Sequence, residues 1–378
     1  MSYRSVLRRP GAAAFFFAAA TGRVGIAMTG LGLVWLLHAR TGSAGPAGLA
    51  AAGYALAEAV LGPRVARLVD RFGQPRVLPF ALAAHGIAIA GVLASTTPAA
   101  AIAFATGAGA AVPQLGALSA ARWAHLLHGD ALPTAFALES LANATAFLLG
   151  PVLVTALGAA GHAPLAVAIA AVLLVGGGAA LATQRRTAPP PTRARPGLFR
   201  RSFVHLALLN AAVGLYFGTM GVSVTAFATE HGVPGAATPI VAAASVSGLL
   251  SGWLSGRLSG WRGSSAHRRL VVASAYLAAT AALLPVAPSA IWLGAAVVLT
   301  EAAVPPTLVT LNVLTERAVH PAVRTQAFTW TGSASTAGSA LAAFVAGHTA
   351  DGFGASAAFV LAPAAGLALL ALAVVKRL

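Results

Sequence analysis

The sequence predicts an all-α integral membrane protein with twelve transmembrane helices, arranged as two six-helix bundles related by a parallel repeat. Hydrophobic residues make up 58% of the chain and charged residues 8%, whereas soluble domains carry about 25% charged residues. So few charges do not cover a water-soluble surface. Long apolar runs alternate with short polar connections, and the basic residues gather in those connections. These observations place most of the chain in a lipid bilayer.

The formal net charge of +16 does not indicate a nucleic-acid partner, because the arginines lie in short clusters between apolar runs and build no basic surface. The absence of cysteine excludes disulfides, thiol nucleophiles and thiolate metal sites. Abundant alanine and a strong preference for arginine over lysine are typical of a GC-rich bacterial genome. The predicted location is therefore the bacterial inner membrane, with lipid as the surrounding partner.

A helix needs about 20 apolar residues to cross a bilayer, so a chain of this length holds about twelve spans. The first apolar run is too long for the core of a cleavable signal peptide and is assigned to the first span. The predicted spans, numbered 1 to 12, are 11–38, 45–62, 77–96, 98–121, 132–158, 163–183, 203–229, 236–256, 270–287, 289–314, 326–349 and 355–375.

The distribution of basic residues predicts the orientation, because Lys and Arg favour cytoplasmic loops. With the N-terminus in the cytoplasm, all of the 24 Lys and Arg residues except Arg23 and Arg40 fall in cytoplasmic segments. An odd number of spans destroys this agreement. Both termini are therefore predicted to be cytoplasmic.

Segment 184–202 is rich in proline and arginine, which predicts an extended, mobile cytoplasmic linker. It separates an N-terminal bundle, 1–183, from a C-terminal bundle, 203–378. A shift of 190 residues supports a parallel repeat, because it aligns matching residues after an even-numbered span in each half. The matches are Gly62 with Gly252, Arg67 with Arg257, Leu68 with Leu258 and Gly73 with Gly263.

The turn between spans 2 and 3 resembles the signature loop of the major facilitator superfamily, which reads approximately G-x-x-x-D-R-x-G-R-R. Ala66 replaces the first glycine of that pattern, and Gln74-Pro75 replaces part of its basic pair. Glycine permits backbone angles that other residues disfavour in a tight turn. The residues assigned to a gating loop on this resemblance are Arg67, Asp70, Arg71, Gly73 and Arg76.

The resemblance implies that Asp70 accepts hydrogen bonds at the start of span 11, near Arg324 to Gln326, where the partial positive charge of a helix N-terminus favours an anion. The second copy of the loop has Gly260 where the first has Asp70. The alternative interpretation is a basic turn that only sets orientation.

Span 5 carries a second resemblance. Residues 146–153 read A-F-L-L-G-P-V-L, which is similar to the G-x-x-x-G-P-x-L signature of the family's antiporter branches, with Gly150 and Pro151 in place. This resemblance implies efflux. The alternative is a packing kink, and the arginine that many drug–proton antiporters carry in span 4 is missing from 105–109.

Charged residues within the membrane are costly and usually face a cavity or a partner. Arg23 lies near the middle of span 1 and Glu301 near the middle of span 10. The family resemblance implies that spans 1, 4, 7 and 10 line a central cavity, so the two are expected to face each other there. Glu301 is the candidate proton site, with Arg23 tuning it or contacting substrate. The alternative is a structural ion pair.

Other polar or aromatic residues within the spans are further candidates for the cavity or for proton coupling. Glu139 is alternatively a gate residue paired with Arg122, and His85 alternatively a packing residue. Glu58, one turn before the loop, is expected to pair with a loop arginine, and the alternative is contact with substrate. Trp35 is alternatively part of an interfacial aromatic belt. The full set of further candidates is Glu139, Asn143, Gln114, Asn210, Tyr216, Trp35, Trp330 and His85.

The sequence lacks an ATP-binding phosphate loop and the common hydrolase motifs, so no cofactor, metal or enzymatic activity is predicted. A membrane enzyme needs a catalytic cluster, and His125, His128 and Asp130 lack a nucleophile. The predicted function is proton-coupled export of a small, partly apolar drug or metabolite by a monomeric secondary transporter that alternates access between its bundles. The alternatives are an uptake permease for a sugar or other metabolite and, more remotely, a non-transporting sensor.

Overall fold

The structure is a computed structural model that describes residues 2–129, 131–192, 196–257 and 265–375. The regular elements in these ranges are helices. In the first half they are α1 Tyr3–Leu7, α2 Ala12–Thr41, α3 Ala44–Phe72, α4 Gln74–Ala94, α5 Pro98–Ala111, α6 Leu115–Leu126, α7 Ala131–Ala159 and α8 Ala163–Thr183. In the second half they are α9 Arg201–Glu230, α10 Ala237–Arg257, α11 Ala266–Ala281, α12 Ala290–Glu301, α13 Val304–Ala318, α14 Arg324–Phe353, α15 Ala355–Ala358 and α16 Leu361–Val374.

These helices form twelve transmembrane spans in two six-helix bundles. Among the described residues, nine spans are long and apolar enough to cross a membrane by length and composition alone. The other three are α3, α11 and α14. Helix α3 carries Glu58, Asp70 and several arginines, α11 has 16 residues, and α14 is rich in Ser, Thr and Gly. Their place in the bundles is fixed by packing and not by hydropathy.

Spans 4 and 10 were predicted as single helices, and this expectation is wrong. The first half of span 4 ends at Ala111 and the second begins at Leu115, with Pro113 in the gap. Span 10 breaks between Glu301 and Val304, ahead of two consecutive prolines. Proline has no N–H and clashes with the preceding turn, so it interrupts a helix. The two breaks occupy equivalent spans of the two halves.

Each half packs by the same scheme. Helix α2 packs against α7 and α8, α3 against α5, and α4 against α8. In the second half α9 packs against α14 and α16, α10 against α12, and α11 against α16. These neighbours correspond span for span, as a parallel repeat requires.

Glycines set the closest helix contacts. A Cβ atom at Gly150 would lie 2.8 Å from Ala27 Cβ, so this residue permits the close approach of α7 to α2. Pro151 follows it inside α7, which continues through the proline. In the second half, a Cβ at Gly218 would clash with the Ser339 carbonyl of α14. Small residues serve this purpose in membrane helix packing, because lipid provides no hydrophobic force between helices.

The bundles meet chiefly on one side of the molecule. We define the basic face as the side that carries the α3–α4 turn, the α8–α9 segment and the α13–α14 turn, and the opposite face as the other side. Between bundles, α3 packs against α14 and α7 against α10. The basic-face halves α6 and α13 also contact the other bundle, whereas the principal neighbours of α5 and α12 lie in their own bundles. The interface is therefore closed towards the basic face.

Segment 184–202 was expected to be extended and mobile, but its described part is docked. Arg185–Thr187 forms a short 3-10 turn, and the Thr187 side chain is buried. The Thr192 N–H donates to the Asp70 carbonyl over 3.1 Å. Pro191 packs beside Gly73. The linker is held by hydrogen bonds and packing contacts that its proline content did not indicate.

The repeat copy of the loop cannot be compared in full. Leu258, Gly260 and Gly263 lie outside the described residues, as does Asp130. Gly252 is described and lies at the bundle interface, where its carbonyl accepts a hydrogen bond from the Tyr3 hydroxyl over 2.9 Å.

Candidate functional site

Arg23 and Glu301 do not form an ion pair with each other, so the interpretation of these two residues as a structural pair is wrong. Arg23 forms an ion pair with Glu139 inside the N-terminal bundle, and its guanidinium also donates to the Glu139 carbonyl over 3.2 Å. Arg23 is 7% exposed and Glu139 5%. The two residues belong to α2 and α7, and their pairing depends on how these helices are rotated towards each other.

The Glu139 carboxylate is saturated with donors. Besides Arg23, its Oε1 accepts hydrogen bonds from the Ser119 hydroxyl over 2.6 Å and from the Trp123 indole N–H over 2.7 Å. A buried ion pair needs such additional hydrogen bonds to offset the desolvation of both charges. The arrangement ties α2, α6 and α7 together and leaves Arg23 without a free charge to offer a substrate.

Glu301 is the last residue of α12 and lies at the break of span 10. Its Oε2 accepts a hydrogen bond from the Tyr216 hydroxyl of α9 over 3.1 Å. Gly248 of α10 lies beside it, since a Cβ there would be 3.6 Å from Glu301 Cγ. No basic side chain among the described residues forms an ion pair with this carboxylate.

Glu58 of α3 lies near the break of span 4 in the first bundle. It was expected to pair with a loop arginine, but its Oε1 accepts a hydrogen bond from the Gln114 amide over 2.7 Å. Gln114 lies at the break of span 4, directly before α6. Contact of Glu58 with substrate was the alternative to this arginine pair in the sequence-based prediction. The signal that identifies Glu58 is Pro113, which breaks the helix and places the Gln114 amide opposite α3.

The internal repeat relates the helix pairs that hold the two carboxyl groups, α3 with α5 and α10 with α12, but it does not align the carboxyl groups themselves. The shift of 190 residues that aligns the loops brings Glu58 of α3 onto Gly248 of α10. In the first bundle this position carries the carboxylate, and span 4 supplies a neutral amide. In the second bundle it is a glycine, and span 10 supplies the carboxylate. Each bundle therefore places one carboxyl group, with a neutral partner, at a helix break.

The remaining predicted cavity residues divide into several environments. Asn143 is exposed one turn after Glu139, and Asn210 donates to the Leu206 carbonyl of its own helix over 2.8 Å. Trp35 packs against Gly158. The Trp330 ring lies edge-on to the Phe199 ring at the basic face, with 5.4 Å between the ring centroids.

The contacts of His85 are those of a packing residue. It is completely buried, and its Nδ1 donates to the Ala108 carbonyl over 2.9 Å. Its ring lies edge-on to Tyr54, and its Nε2 has no hydrogen-bond partner. The contacts connect α4 to α3 and α5.

The predicted gating loop contacts the other bundle. Asp70 Oδ2 accepts a hydrogen bond from the Gln326 N–H in the first turn of α14, over 2.9 Å. This is the contact that the family resemblance implies, and it places an anion at a helix N-terminus. With the Gln326 amide oriented to satisfy its neighbours, its oxygen accepts two bonds of 3.2 Å from the Arg67 guanidinium.

Other residues of the loop shape the turn. Gly73 joins α3 to α4 with φ 92° and ψ 146°, a conformation that essentially only glycine adopts. Arg71 lies over the Phe72 ring at 5.0 Å, and Arg76 is exposed. The positive φ explains why this position requires glycine.

Two further arginines hold the basic face together. Arg122 was considered a partner for Glu139, but it is fully buried and donates to Gln74 over 2.7 Å and to the Leu181 carbonyl over 2.9 Å. Arg324 pairs with Glu316 and donates to the Ala124 carbonyl of the other bundle over 2.8 Å. Both use carbonyls at helix C-termini, where the helix dipole favours a cation.

Asp70 lies beyond the predicted end of span 2, in a cleft of about 240 Å³ between the bundles and the linker. Burial raises the pKa of Asp70 from 3.8 to about 6, and hydrogen bonds from the Thr325 side chain and from the Gln326 and Thr325 amides offset part of this effect. His125, His320 and Arg324 line the same cleft. Among the described residues, no group of three or more His, Asp or Glu side chains is placed to hold a metal ion.

Comparison with known proteins identifies the fold. The model of the family described as Major Facilitator Superfamily matches residues 15–343. No individually curated protein is significantly similar to this chain in sequence.

Three solved structures illustrate the likeness, and each covers nearly the whole chain. A bacterial homologue of the iron transporter ferroportin in an outward-facing state has a TM-score of 0.78 at 15% identity, over 96% of this chain and 98% of that one. The human organic anion transporter MFSD10 (TETRAN) has 0.75 at 15% identity, over 96% and 98%. The proton:xylose symporter XylE has 0.72 at 14%, over 96% and 95%. Identities this low establish the fold alone.

Proposed function

The chain belongs to the major facilitator superfamily, and from this premise we propose that it is a proton-coupled exporter of a small, partly apolar molecule. The observation that carries the proposal is Glu301, a membrane carboxyl group whose partner is a neutral phenol 3.1 Å away. Its position at a break in span 10 supports a role in transport, because discontinuous helices build the binding sites of many secondary transporters.

The environment of Glu301 supports the proposal of proton coupling. An ionised group without a counter-ion is costly to bury, and protonation removes that cost. Glu139 is unsuited to this role because Arg23 and two hydrogen-bond donors hold its carboxylate. Glu301 therefore remains the candidate proton site, without Arg23 as the neighbour that tunes it.

The export direction rests on the resemblance of residues 146–153 in α7 to the antiporter signature. Gly150 brings α7 close to α2, and Pro151 removes one backbone hydrogen bond in the same turn. In the proposed cycle, these two features let α7 adjust while the bundles exchange access.

The gate of this cycle is the basic face, which we assign to the cytoplasm. Asp70 with Gln326, and Arg324 with the Ala124 carbonyl, hold the two bundles together there. The Phe136 and Phe328 rings meet across the interface at 5.8 Å. The outer halves of spans 4 and 10 stay with their own bundles. This combination fits an outward-facing state of a monomer, with both termini inside the cell.

Transport in proteoliposomes under an imposed pH gradient tests the proposal, with amphiphilic drugs and sugars as candidate substrates. An acidic lumen is expected to drive accumulation, because an antiporter exchanges luminal protons for external substrate. Glu301→Gln is expected to reduce gradient-driven accumulation to the level of protein-free liposomes. Asp351→Asn, which removes a charge at the exposed end of α14, is the matched control and should transport normally.

The same assay separates the alternatives. Accumulation driven by an acidic exterior would identify an uptake symporter in place of an exporter. Accumulation that ignores the gradient, or that persists unchanged in Glu301→Gln, would refute proton coupling through Glu301.

A further inference from the structure

Two carboxyl groups within the membrane, Glu58 and Glu301, form no ion pair with the described residues. Two ion pairs occur among the described residues, Arg23 with Glu139 in the N-terminal bundle and Arg324 with Glu316 at the basic face. Neither includes Glu58 or Glu301. Because Arg23 pairs with Glu139, it is not available to Glu58 or Glu301. The hydrogen-bond partner of Glu58 is the Gln114 amide, and that of Glu301 is the Tyr216 hydroxyl.

Both carboxyl groups lie close to the boundary between the bundles. Gln114, the partner of Glu58, borders Gly62, where a Cβ would lie 3.7 Å from Gln114 Cγ and 3.6 Å from Thr329 Cγ2 of α14. The repeat-equivalent Gly252 is one turn from Gly248, the neighbour of Glu301. A Cβ at Gly252 would lie 3.3 Å from Leu141 Cδ2 of α7. Each carboxyl group therefore sits beside the point where its bundle touches the other.

Two carboxylates without basic partners favour a positively charged ligand over a negatively charged one. An anion would be repelled by an ionised carboxylate in a medium of low dielectric constant, whereas a cation supplies the missing counter-charge. The described residues offer no cluster of three metal-ligating side chains, while a bare divalent ion requires six or more oxygen ligands or a compact set of nitrogen, sulfur and oxygen ligands.

The surroundings of the two carboxyl groups favour an organic cation. Tyr54 lies one helical turn before Glu58 on α3 and is 4% exposed, and Tyr216 lies beside Glu301. Aromatic rings attract cations through their faces, and the remaining neighbours named above are glycines, Leu141 and a threonine methyl group. An ammonium or phosphonium ion with apolar substituents satisfies both the charge and the apolar contacts.

We propose that the transported molecule is an organic cation whose positive charge is bound by Glu58 in the N-terminal bundle, while Glu301 in the C-terminal bundle carries the coupling proton. This inference rests on the proposed transport function and names the substrate class of the same site. The repeat relates the helix pairs that hold the two carboxyl groups, α3 with α5 and α10 with α12, and in the proposed arrangement substrate and proton each occupy one bundle.

Binding of two ions of the same shape and opposite charge tests the proposal. Tetraphenylphosphonium is a permanent cation, and tetraphenylborate is its anionic counterpart. Each is titrated separately into the purified full-length protein in detergent by calorimetry. We expect saturable binding of tetraphenylphosphonium and none of tetraphenylborate. Glu58→Gln should weaken cation binding by about tenfold or more, since a buried charge loses its partner.

Two variants control this measurement. Glu58→Asp keeps the charge and should bind the cation more tightly than Glu58→Gln does. Asp351→Asn makes the same change in net charge at the opposite face and should bind like the wild type. Equal binding of the two ions, absence of saturable cation binding, or unchanged affinity in Glu58→Gln would each overturn the proposal. The comparison of the two ions on the wild-type protein shows whether a cation or an anion is bound, even if a Glu58 variant does not fold.

The outcome is separable from that of the proposed function. Calorimetry in detergent involves no pH gradient, so it reports cation recognition independently of coupling. Cation binding without gradient-driven transport would refute the coupling alone. Proton-driven transport by a protein that prefers the anion would refute the substrate class alone.

Discussion

At the scale of single residues, the partner of each charge determines what that charge can do. Arg23 and Glu139 neutralise each other, and Ser119 and Trp123 complete the carboxylate's hydrogen bonds. Glu301 has the same side chain as Glu139 but a single phenol as its partner. Glu139 therefore cross-links three helices of its bundle, whereas Glu301 has no ion-pair partner among the described residues.

We expect Glu139→Gln to lower stability substantially, because it leaves the Arg23 charge buried and unpaired. Removing one partner of a buried ion pair costs about 3–5 kcal/mol. Replacing both residues, as in Arg23→Met with Glu139→Leu, should recover part of this loss because no unpaired charge remains. Thermal unfolding of the purified variants, followed by size-exclusion chromatography after heating, measures both effects.

If Glu139→Gln unfolded at the same temperature as the wild type but lost transport, the structural role of the pair would be contradicted. In that case the pair would act in the transport cycle itself.

At the scale of elements, the contact between the end of α3 and the start of α14 joins the bundles. Asp70 is buried enough that its pKa rises from 3.8 to about 6. The closed arrangement therefore binds the Asp70 proton more tightly than an open one in which the side chain is solvated. By linkage, closure of the basic face strengthens as pH falls from about 6 to about 4 and reaches its weakest level above that range.

This sign predicts the behaviour of Asp70→Asn. The variant resembles the protonated carboxyl, so it should fold, keep the basic face closed without the Asp70-dependent pH response, and transport slowly. Spin labels at Arg9→Cys and Arg317→Cys, exposed on the two bundles, report the separation by electron–electron double resonance. The chain lacks cysteine, so only the introduced sites are labelled.

In the doubly labelled protein that keeps Asp70, the fraction of molecules with a short distance between the two spin labels should grow as the pH is lowered through 6. His125, His320 and Arg324 line the same cleft, and their influence remains in Asp70→Asn, which isolates the contribution of Asp70. An identical pH response in both proteins would remove Asp70 from the gate and leave the loop as an orientation signal.

At the scale of the whole molecule, the repeat produces two bundles with matching neighbours and matching helix breaks. The bundles touch through α3 with α14 and α7 with α10, which are equivalent pairs. This symmetry allows the same contacts to be exchanged between faces as the bundles rock, which is the basis of alternating access in such folds.

The orientation of the molecule is testable with single cysteines. A membrane-impermeant maleimide should label Thr96→Cys, in the exposed α4–α5 turn, on intact cells. It should label Ser5→Cys, exposed in α1, only after the membrane is permeabilised, because the basic face is predicted to be cytoplasmic. The cysteine-free parent is the background control, and the reverse pattern would invert the topology.

Much of this architecture is readable from local sequence. Apolar runs of sufficient length locate the spans, and the confinement of arginine to alternate connections predicts the orientation, because each feature depends only on neighbouring residues and the bilayer. The α3–α4 turn is recognisable for the same reason, since Gly73 needs a positive φ and Asp70 lies within three residues of it. The breaks at Pro113 and before Pro305 were missed because hydropathy does not register a missing N–H.

What the sequence determined by itself is therefore a twelve-span membrane protein with a basic face and a family signature. Only the tertiary structure decided which charges meet. Arg23 and Glu139 are 116 residues apart, and Tyr216 and Glu301 are 85 apart. Their pairing depends on the rotation of each helix about its axis, which small residues such as Gly150 and Gly248 set through packing. A one-residue difference in rotation turns a side chain by about 100°, enough to exchange a cavity-facing charge for a buried ion pair.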